Sequence, residues 1–278
     1  MLKIVFDLST FESVELIALA DAHVGNPLCD IGALKDIIEY INEEPEDPTC
    51  ARVCLLNGDL TESVTRKSVG DIYGQTMSPQ LQVATISEML KPLAQPRDRY
   101  PMGKIISYCG GNHDVDRYKD TGITSAESIA VNLGLDDRYS SDGCYCFLKL
   151  GRKGNMDNTY VYTVYNQHMS GSAQSIGGKA NRVARISNGV VADLIIGAHF
   201  HTPLTFKEDM ILPNGNTFSI TQKTITYLIV NAFLRFGDYG QRMGLKPSTI
   251  SVPKIYIKQA RESNRNGANR YFKTEVLL

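Results

Sequence analysis

A chain of 278 residues with 42 % hydrophobic and 21 % charged residues has the composition of a folded globular protein, and this composition excludes intrinsic disorder. Its formal net charge of -1 gives no sign of general nucleic-acid or membrane binding, although a local basic patch could be hidden within it. The six cysteines form no Cys-x-x-Cys pair, which argues against a disulfide scaffold and against a common structural zinc site. Neither a signal peptide nor an apolar run near the ~20 residues of a membrane span is present, so we expect a cytoplasmic protein without a membrane partner.

Short apolar runs rich in Val, Ile and Tyr alternate with helical patterns along the chain. The runs that predict buried strands are Val14 to Ala20, Arg52 to Leu56, Lys104 to Cys109, Tyr160 to Tyr165, Asp193 to Ile196 and Thr226 to Val230. Apolar residues at helical spacing predict helices over Ile31 to Ile41, Pro79 to Leu93, Ser125 to Leu133 and Lys179 to Ile186. Strands that alternate with helices predict an α/β protein with much parallel pairing, and the turn-rich second half predicts a mixed sheet there.

The polar segments between these elements are predicted to be surface connections rather than domain linkers. Asn42 to Thr49 is acidic and contains prolines, and Gly151 to Asn158 predicts a hairpin loop. Thr61 to Ser78 either helps to shape a substrate entrance or is a plain surface loop. The basic stretch Lys254 to Lys273 is expected to be a solvated surface tail, with a local basic patch as the alternative. We therefore expect a single domain over residues 1–278.

All five histidines lie at, or just beyond, the ends of predicted strands. The carboxyl ends of strands are where α/β sheets place ligands and catalytic groups. A single histidine in such a place is more often a structural residue, but five of them together favour a functional site. The blocks in chain order are Asp21-Ala22-His23, Gly58-Asp59, Gly110-Gly111-Asn112-His113-Asp114, His168, and Gly197-Ala198-His199-Phe200-His201.

Two of these blocks place ligand-type side chains two residues apart. On extended backbone Asp21 and His23 would point to the same side, so that the pair could hold one ion, and the same applies to His199 and His201. A carboxylate has two oxygens, so Asp59 could bridge two ions. Oxygen and imidazole ligands without a thiolate suit manganese, iron, zinc, cobalt or nickel, and the residues do not choose among these metals.

The ordered set of blocks resembles the calcineurin-like metallophosphoesterase superfamily, whose pattern is D-x-H, then G-D, then G-N-H-[DE], then a single His, then G-H-x-H. The resemblance spans Asp21 to His201. It departs from the family at Ala198, where a glycine is usual, and at Met169, where a glycine often follows the histidine. The segment Asn231 to Gly240 and the glycine-rich stretch after His168 also resemble the phage- and prophage-encoded branch of this family.

This resemblance implies a fold and a cofactor. The implied fold is a four-layer α/β/β/α sandwich of two mixed sheets with flanking helices and with metals at the strand ends. The implied cofactor is a pair of divalent ions, with manganese as the first expectation and iron, zinc, cobalt or nickel as alternatives. The family pattern assigns Asp21, His23 and His201 to one ion, Asn112, His168 and His199 to the other, and Asp59 to both.

The chemistry implied by the resemblance is hydrolysis of a phosphoester. Two ions about 3.5–4 Å apart polarise a phosphoryl group and lower the pKa of the water between them, so that a metal-bridging hydroxide attacks phosphorus in line. The family leaves His113 off the metals, which makes it the candidate general acid, and Asp114 would orient and charge it. Candidate substrate contacts are Arg117, Lys179 and Arg182, and a plain surface role for the last two is an equal alternative.

Three functions remain open on the residues alone. The leading expectation is a phosphodiesterase for a nucleotide or nucleic acid, and the phage-like resemblance and the basic stretch Lys254 to Lys273 favour a nuclease. The net charge near zero counts against strong binding of duplex DNA. A phosphomonoesterase for a small molecule or a phosphoprotein would use the same metals. An inactive binding scaffold of this fold would be expected to lack some metal ligands, all of which are present here. The oligomeric state is left open.

Overall fold

The computed structural model describes residues 1–65, 72–114, 122–151, 159–216, 218–237, 247, 250–264 and 267–278, and it describes side chains in these ranges except at 261–264 and 267–270. The strands are β1 (Leu2–Leu8), β2 (Ser13–Leu19), β3 (Cys50–Asn57), β4 (Ile105–Cys109), β5 (Tyr139–Ser140), β6 (Cys144–Leu150), β7 (Tyr160–Gln167), β8 (Leu194–Gly197), β9 (Leu204–Asn214), β10 (Ser219–Ile229), β11 (Lys254–Asn264) and β12 (Gly267–Leu277). The α-helices are α1 (Ile31–Asn42), α2 (Pro79–Ala94), α3 (Ser125–Leu133) and α4 (Ile176–Ala184). Short 3-10 turns cover Asp136–Arg138 and Arg185–Asn188.

These strands form two mixed sheets of six strands each. Sheet 1 has the order β1-β6-β7-β8-β10-β9, and sheet 2 has the order β12-β11-β2-β3-β4-β5. In sheet 2, β2, β3, β4 and β5 pair in parallel, and the antiparallel β11–β12 hairpin extends the sheet beyond β2. In sheet 1, β8 pairs in parallel with both β7 and β10. Parallel neighbours end at the same edge of a sheet, so the segments that follow these strands are brought together.

Apolar side chains hold the layers together in three clusters. The first cluster lies between the two sheets and includes Leu16, Leu55, Ile106, Leu148 and Ile196. The second packs α1, α2 and α3 against the outer face of sheet 2, and the third packs α4 against the outer face of sheet 1. The four-layer α/β/β/α sandwich expected from the sequence is therefore confirmed.

Polar residues fix the beginnings of the four helices. Asp30, Ser78, Thr124 and Ser175 each accept a hydrogen bond from a backbone N–H in the first turn of the helix that follows. The predictions for α1, α2 and α3 are confirmed to within one residue. The fourth helix begins three residues before Lys179, and the 3-10 turn follows it. None of the helices in the described ranges is long and apolar enough to cross a bilayer.

The structure corrects the prediction for the basic stretch Lys254 to Lys273. This stretch is not a solvated tail, because it forms β11 and more than half of β12, and β11 pairs antiparallel with β2. Ile255 and Ile257 are fully buried in the cluster between the sheets. Two of its cations are already engaged, since Lys254 Nζ lies 3.6 Å from the ring centroid of Tyr40 and Lys273 forms an ion pair with Glu275.

The predictions also omitted β1, β6 and β9. In β1 and β6 buried residues alternate with more exposed ones, and β9 is largely exposed, so all three differ from strands that are buried along their whole length. The turn from Pro213 to Asn216 lies between β9 and β10, as the sequence indicates. The predicted loop Gly151 to Asn158 joins the antiparallel pair β6 and β7, and residues 152–158 lie outside the described residues.

Candidate metal centre

The segments that follow five parallel strand ends converge at one edge of the sandwich. These segments follow β2, β3 and β4 in sheet 2 and β7 and β8 in sheet 1. They carry all of the residues that the sequence predicted as metal ligands. Those residues are Asp21, His23, Asp59, Asn112, His168, His199 and His201.

The first cluster of ligand atoms contains Asp21, His23 and His201, which together could hold a metal ion. The Nε2 atom of His201 lies 3.2 Å from Asp21 Oδ1 and 3.4 Å from His23 Nε2. Asp21 is completely buried, and within the described residues its Oδ1 atom has no hydrogen-bond partner. A buried carboxylate oxygen is costly unless a donor or a cation compensates its charge, and a bound cation would do so.

The second cluster contains Asp59, His168 and His199 and could likewise hold an ion. The Nε2 atom of His168 lies 3.1 Å from Asp59 Oδ2 and 3.1 Å from Asn112 Oδ1, so Asn112 belongs to the same cluster. The two clusters adjoin each other, because the Asp21 carboxylate accepts a hydrogen bond of 3.0 Å from the backbone N–H of His199.

Three of the imidazoles are held by the ring nitrogen that faces away from the cluster. The contacts join His168 Nδ1 to the Asn57 carbonyl at 2.8 Å, His23 Nδ1 to Glu62 Oε2 at 3.0 Å, and His199 Nε2 to the Gly171 carbonyl at 2.8 Å. Each oxygen is an acceptor, so the nitrogen that contacts it carries the proton. The other nitrogen of the ring then faces the cluster and is the one that a metal could bind, which is the usual arrangement around metal-binding histidines.

The backbone at these blocks is not extended, contrary to the expectation for the two-residue spacings. Positive φ angles occur at Asp21 (49°), His23 (48°), Asp59 (50°), His199 (86°) and His201 (49°). Such left-handed conformations cost on the order of 1–3 kcal/mol each outside glycine and are concentrated at functional sites. The side chains therefore converge because the loops curl at the strand ends, and not because of strand alternation.

Two glycines leave room for the bridging candidate Asp59 and for His168. A Cβ atom on Gly111 would lie 2.1 Å from Asp59 Oδ1, and one on Gly58 would lie 2.6 Å from His168 Nδ1. By contrast, Ala198 replaces the glycine that is usual in the family without conflict. It has no left-handed φ angle, and its methyl group is buried in the cluster between the sheets.

The charges of the site match what a cation would require. Burial opposes the ionisation of Asp59, but His168 and the neighbouring His113 and His23 hold the pKa of this carboxyl well below its usual value. Asp21 is likewise buried, and His201 lowers its pKa. Burial alone would lower the pKa of His168, yet the Asp59 carboxylate raises it to about 10. Two ionised carboxylates in a buried pocket thus attract positive charge, and the mixed oxygen and nitrogen donors fit divalent metals.

His113 lies beside the first cluster and is held by a backbone carbonyl. Its Nδ1 atom lies 2.9 Å from the Glu62 carbonyl oxygen, and its ring packs edge-on against His23 with ring centroids 4.7 Å apart. Burial lowers the pKa of His113, but the charge of Asp59 and the Glu62 carbonyl outweigh this effect and raise the pKa. A protonated imidazole is therefore favoured at this position, as a general acid requires.

The structure corrects the contact expected between Asp114 and His113. The Asp114 carboxylate accepts hydrogen bonds from the backbone N–H groups of Gly111 (2.8 Å) and Ala126 (2.9 Å) and from the hydroxyl of Ser125. These contacts fasten the loop after β4 to the first turn of α3. The carbonyl of Glu62 orients the His113 ring instead, and Asp114 acts on that ring only through its charge.

The three candidate substrate contacts have different outcomes. Arg117 lies outside the described residues. The Nζ atom of Lys179 donates to the carbonyl of Phe200 (3.0 Å) and to the hydroxyl of Thr202, so this lysine holds the loop after β8 and is not free for a substrate. Arg182 remains exposed on α4, close to Gly171.

Two residues with a role in the site were missed in the sequence. Glu62 holds His23 through its side chain and His113 through its carbonyl, and the Asn57 carbonyl holds His168. Both residues flank Asp59 within a few positions, and an acidic residue soon after Asp59 was the available signal. For the Gly171 carbonyl, which contacts His199, the sequence holds no such signal.

Comparisons with known proteins add only a distant likeness of fold. No protein-family model and no curated protein matches this sequence. Among solved structures, it is similar to a predicted phosphoesterase from Streptococcus pneumoniae TIGR4, with 10 % identity, a TM-score of 0.33, and coverage of 94 % of this chain and 98 % of that chain. A protein from Thermotoga maritima, solved by NMR in solution, is similar with 12 % identity, a TM-score of 0.31, and coverage of 94 % and 99 %. Scores this low carry no argument about function, which therefore rests on the site.

Proposed function

We propose that this chain is a dinuclear-metal-dependent phosphoester hydrolase, formed by a single domain over residues 1–278, and that it cleaves phosphodiesters of nucleotides or nucleic acids. The observation that carries the proposal is the pair of adjoining buried clusters, one around Asp21 and the other around Asp59. Each cluster combines a buried carboxylate with imidazoles, and the Asp21 carboxylate contacts both His201 and the backbone of His199. Two adjoining clusters of ligand atoms favour a site for two metal ions over a site for one ion.

The residues that would hold the metals follow from this geometry. One ion would be bound by Asp21, His23 and His201, the other by Asn112, His168 and His199, and Asp59 would contact both. Bound ions would polarise the phosphoryl group and provide a nucleophile at neutral pH. Manganese is the first metal to test, followed by iron, zinc, cobalt and nickel.

The proton needed by the leaving group would come from His113. The Glu62 carbonyl accepts the Nδ1 proton of this ring, which leaves Nε2 as the atom that can donate to a leaving oxygen. Burial lowers the pKa of His113, but the neighbouring Asp59 and Glu62 raise it above its usual value, which favours the protonated ring. Asp114 keeps His113 in place by fastening the loop to α3.

The choice of a diester rests on weaker support than the choice of a hydrolase. The sequence resemblance to the phage-encoded branch favours a nuclease, and two exposed arginines, Arg182 and Arg185, line a cavity near the site. The basic stretch Lys254 to Lys273 no longer contributes to this choice, because it belongs to sheet 2. If the protein hydrolyses monoesters faster than diesters, the function is instead that of a phosphomonoesterase.

The test is to measure hydrolysis of bis-p-nitrophenyl phosphate and of p-nitrophenyl phosphate side by side in manganese. We expect turnover of the diester, and we expect Asp59→Asn to reduce it by about 10³-fold or more, because this change removes the carboxylate that would contact both ions. Faster turnover of the monoester would replace the diesterase by a phosphomonoesterase. Metal binding without turnover of either ester, in each of the five metals, would contradict a hydrolase and favour a binding scaffold.

A further inference from the structure

Two arginines line a cavity beside the metal centre. The cavity has a volume of about 240 Å³ and is enclosed by the loop after β7 and by α4 and the 3-10 turn that follows it. Its polar lining includes Ser172, Gln174 and Asn181 in addition to Arg182 and Arg185, and none of the lining residues that the structure describes is acidic. The lining therefore combines two positive charges with neutral polar groups.

A single glycine joins this cavity to the metal centre. The Gly171 carbonyl lies 2.8 Å from His199 Nε2, and a methyl group on the same glycine would lie 3.4 Å from the Arg182 guanidinium. Gly171 has a φ angle of +90°, which residues with side chains rarely adopt. The Arg182 guanidinium thus lies near Gly171, and the carbonyl of this glycine contacts the proposed metal ligand His199.

Both guanidinium groups are available to an anion. None of the ion pairs within the described ranges of the chain involves Arg182 or Arg185. Lys179 on the same helix differs, because its Nζ atom is engaged by the loop after β8. A planar guanidinium can donate two parallel hydrogen bonds to a phosphate, and this geometry makes arginine a common phosphate ligand.

The cavity continues along α4 away from the metal centre. A second cavity of about 410 Å³ shares Asn181 and Arg185 with the first and is also lined by Ser187, Asn188 and Glu208. The shared residues join the two cavities into one groove, in which Arg182 lines the first cavity and Arg185 lines both. An extended ligand that reaches the metal centre could therefore continue along this groove.

We propose that Arg182 and Arg185 bind a second phosphate of the substrate, adjacent to the phosphate that is cleaved. This proposal rests on the proposed function and narrows its substrate to nucleic-acid-like molecules that carry at least two phosphates. The first cavity is smaller than the ~300 Å³ or more of sites that enclose a whole small molecule, so it suits a phosphate with part of a sugar. The second phosphate can belong to the next nucleotide of a single strand or to the same nucleotide.

The first experiment measures binding without turnover. The full-length protein in EDTA is titrated with a fluorescein-labelled hexathymidylate, and fluorescence anisotropy is recorded from 50 to 300 mM salt. We expect Arg182→Gln and Arg185→Gln each to weaken binding by about tenfold. Each change should also make the plot of log binding constant against log salt concentration less steep, by about 0.7 in slope. This is the change expected when one phosphate contact to a single strand is lost. Lys35→Gln, an exposed charge on α1, is the matched control and should leave binding unchanged.

The second experiment separates this proposal from the proposed function. Bis-p-nitrophenyl phosphate has only one phosphate, so the double variant Arg182→Gln/Arg185→Gln should hydrolyse it as wild type does while it loses about 30-fold or more in kcat/KM for hexathymidylate. Thymidine 3′,5′-bisphosphate, as a competitor, tests whether a second phosphate on the same nucleotide is sufficient. If the bisphosphate displaces hexathymidylate from the wild type but not from the double variant, the second phosphate can belong to the same nucleotide.

Two results would overturn the phosphate site. One is equal affinity of the double variant and the wild type for both hexathymidylate and the bisphosphate. The other is a loss of affinity that is matched in the Lys35→Gln control, because it would show an effect of net charge alone. Failure of the proposed function would appear differently, as binding that depends on the two arginines without hydrolysis of any ester in any of the metals. Arg182→Lys, which keeps the charge but not the paired donors, should recover only part of the affinity.

Discussion

The neighbouring strands β2 and β3 carry buried charged residues at both ends, and the two ends are built differently. Near their amino ends, Glu15 and Arg52 lie opposite each other in the register, and Arg52 Nε donates to Glu15 Oε2 at 2.6 Å. Just beyond their carboxyl ends lie Asp21 and Asp59, and Asp21 Oδ1 has no hydrogen-bond partner within the described residues. The same pair of strands therefore has one end where a carboxylate is paired with a guanidinium and another where the carboxylates face imidazoles.

At the amino end, each buried charge has fixed partners. Glu15 also accepts hydrogen bonds from the hydroxyl groups of Tyr40 (2.6 Å) and Tyr256 (3.0 Å). Nearby, the fully buried Lys104 donates to three carbonyl groups at the end of α1 and forms an ion pair with Glu44. Lysine at a helix C-terminus satisfies carbonyls that the helix itself leaves without donors. This end ties α1 to sheet 2.

At the carboxyl end, the partners of the carboxylates are imidazoles instead of guanidinium or ammonium groups. An imidazole can release its proton near neutral pH, whereas arginine remains charged. His168 can therefore exchange its proton for a metal, and Arg52 cannot. The comparison teaches that permanent charges are used where a pair must persist, and titratable ones where a cation is to be bound.

The largest expected effect is on stability, when one carboxylate at each end of β2 and β3 is replaced by its amide. Glu15→Gln should lower the free energy of unfolding by about 3 kcal/mol, because Arg52 is left buried and charged without its partner. Asp59→Asn should change it by less than about 1 kcal/mol, because His168 can then lose its proton. Urea denaturation in EDTA measures both values. Equal losses in the two variants would contradict the contrast between the two ends.

A slightly smaller effect is expected for His113, the proposed proton donor at the carboxyl end. His113→Gln should slow cleavage of an alkyl diester such as thymidylyl-thymidine by about 10²-fold, since a poor leaving group needs a general acid. Cleavage of bis-p-nitrophenyl phosphate should fall much less, because nitrophenolate leaves without a proton. Comparison of kcat for the two substrates in manganese measures the difference. An equal decrease for both, with weaker metal binding, would show that His113 supports the metals instead.

The residue that holds His23 sharpens the comparison further. Glu62→Gln keeps an oxygen near His23 Nδ1 but removes the negative charge, so we expect manganese affinity to fall by about tenfold, at the lower end of what such supporting contacts contribute. Isothermal titration calorimetry measures this affinity. Glu39→Gln, on the exposed side of α1, should leave it unchanged. Unchanged affinity in Glu62→Gln would exclude a supporting role for the Glu62 carboxylate.

The smallest expected effect is the pH dependence of the amino end. Burial raises the pKa of Glu15, but its hydrogen bonds from Tyr40 and Arg52 lower it below the usual 4.5. A lowered folded-state pKa contributes stability that is present above pH 4.5 and is lost as the pH falls through the folded value. The difference in Tm between wild type and Glu15→Gln should therefore narrow between pH 7 and pH 3.5, by about 2–4 °C for each kcal/mol lost. A difference in Tm that stays constant between pH 7 and pH 3.5 would contradict a lowered pKa of Glu15 in the folded protein.

The sequence by itself determined the central strands and the chemistry of the metal centre. The strands β2, β3, β4 and β8 are buried along almost their entire length, so each appears as a continuous apolar run. Residue type alone sets which atoms can bind a metal, and the positions after strand ends show where those atoms meet. The seven ligands that the family resemblance implied could therefore be placed together without knowledge of their contacts.

Only the tertiary structure decided which partners these residues have. Glu62 contacts a histidine 39 residues away, and Asp114 fastens a loop instead of a catalytic ring. Lys179 is engaged by the loop after β8, whereas Arg182 forms no ion pair with the residues that the structure describes. The strand β11 likewise becomes recognisable only through its pairing with β2. Local patterns record burial and ligand type, whereas these contacts join segments that are distant in the chain, and their geometry is fixed only when the two sheets pack.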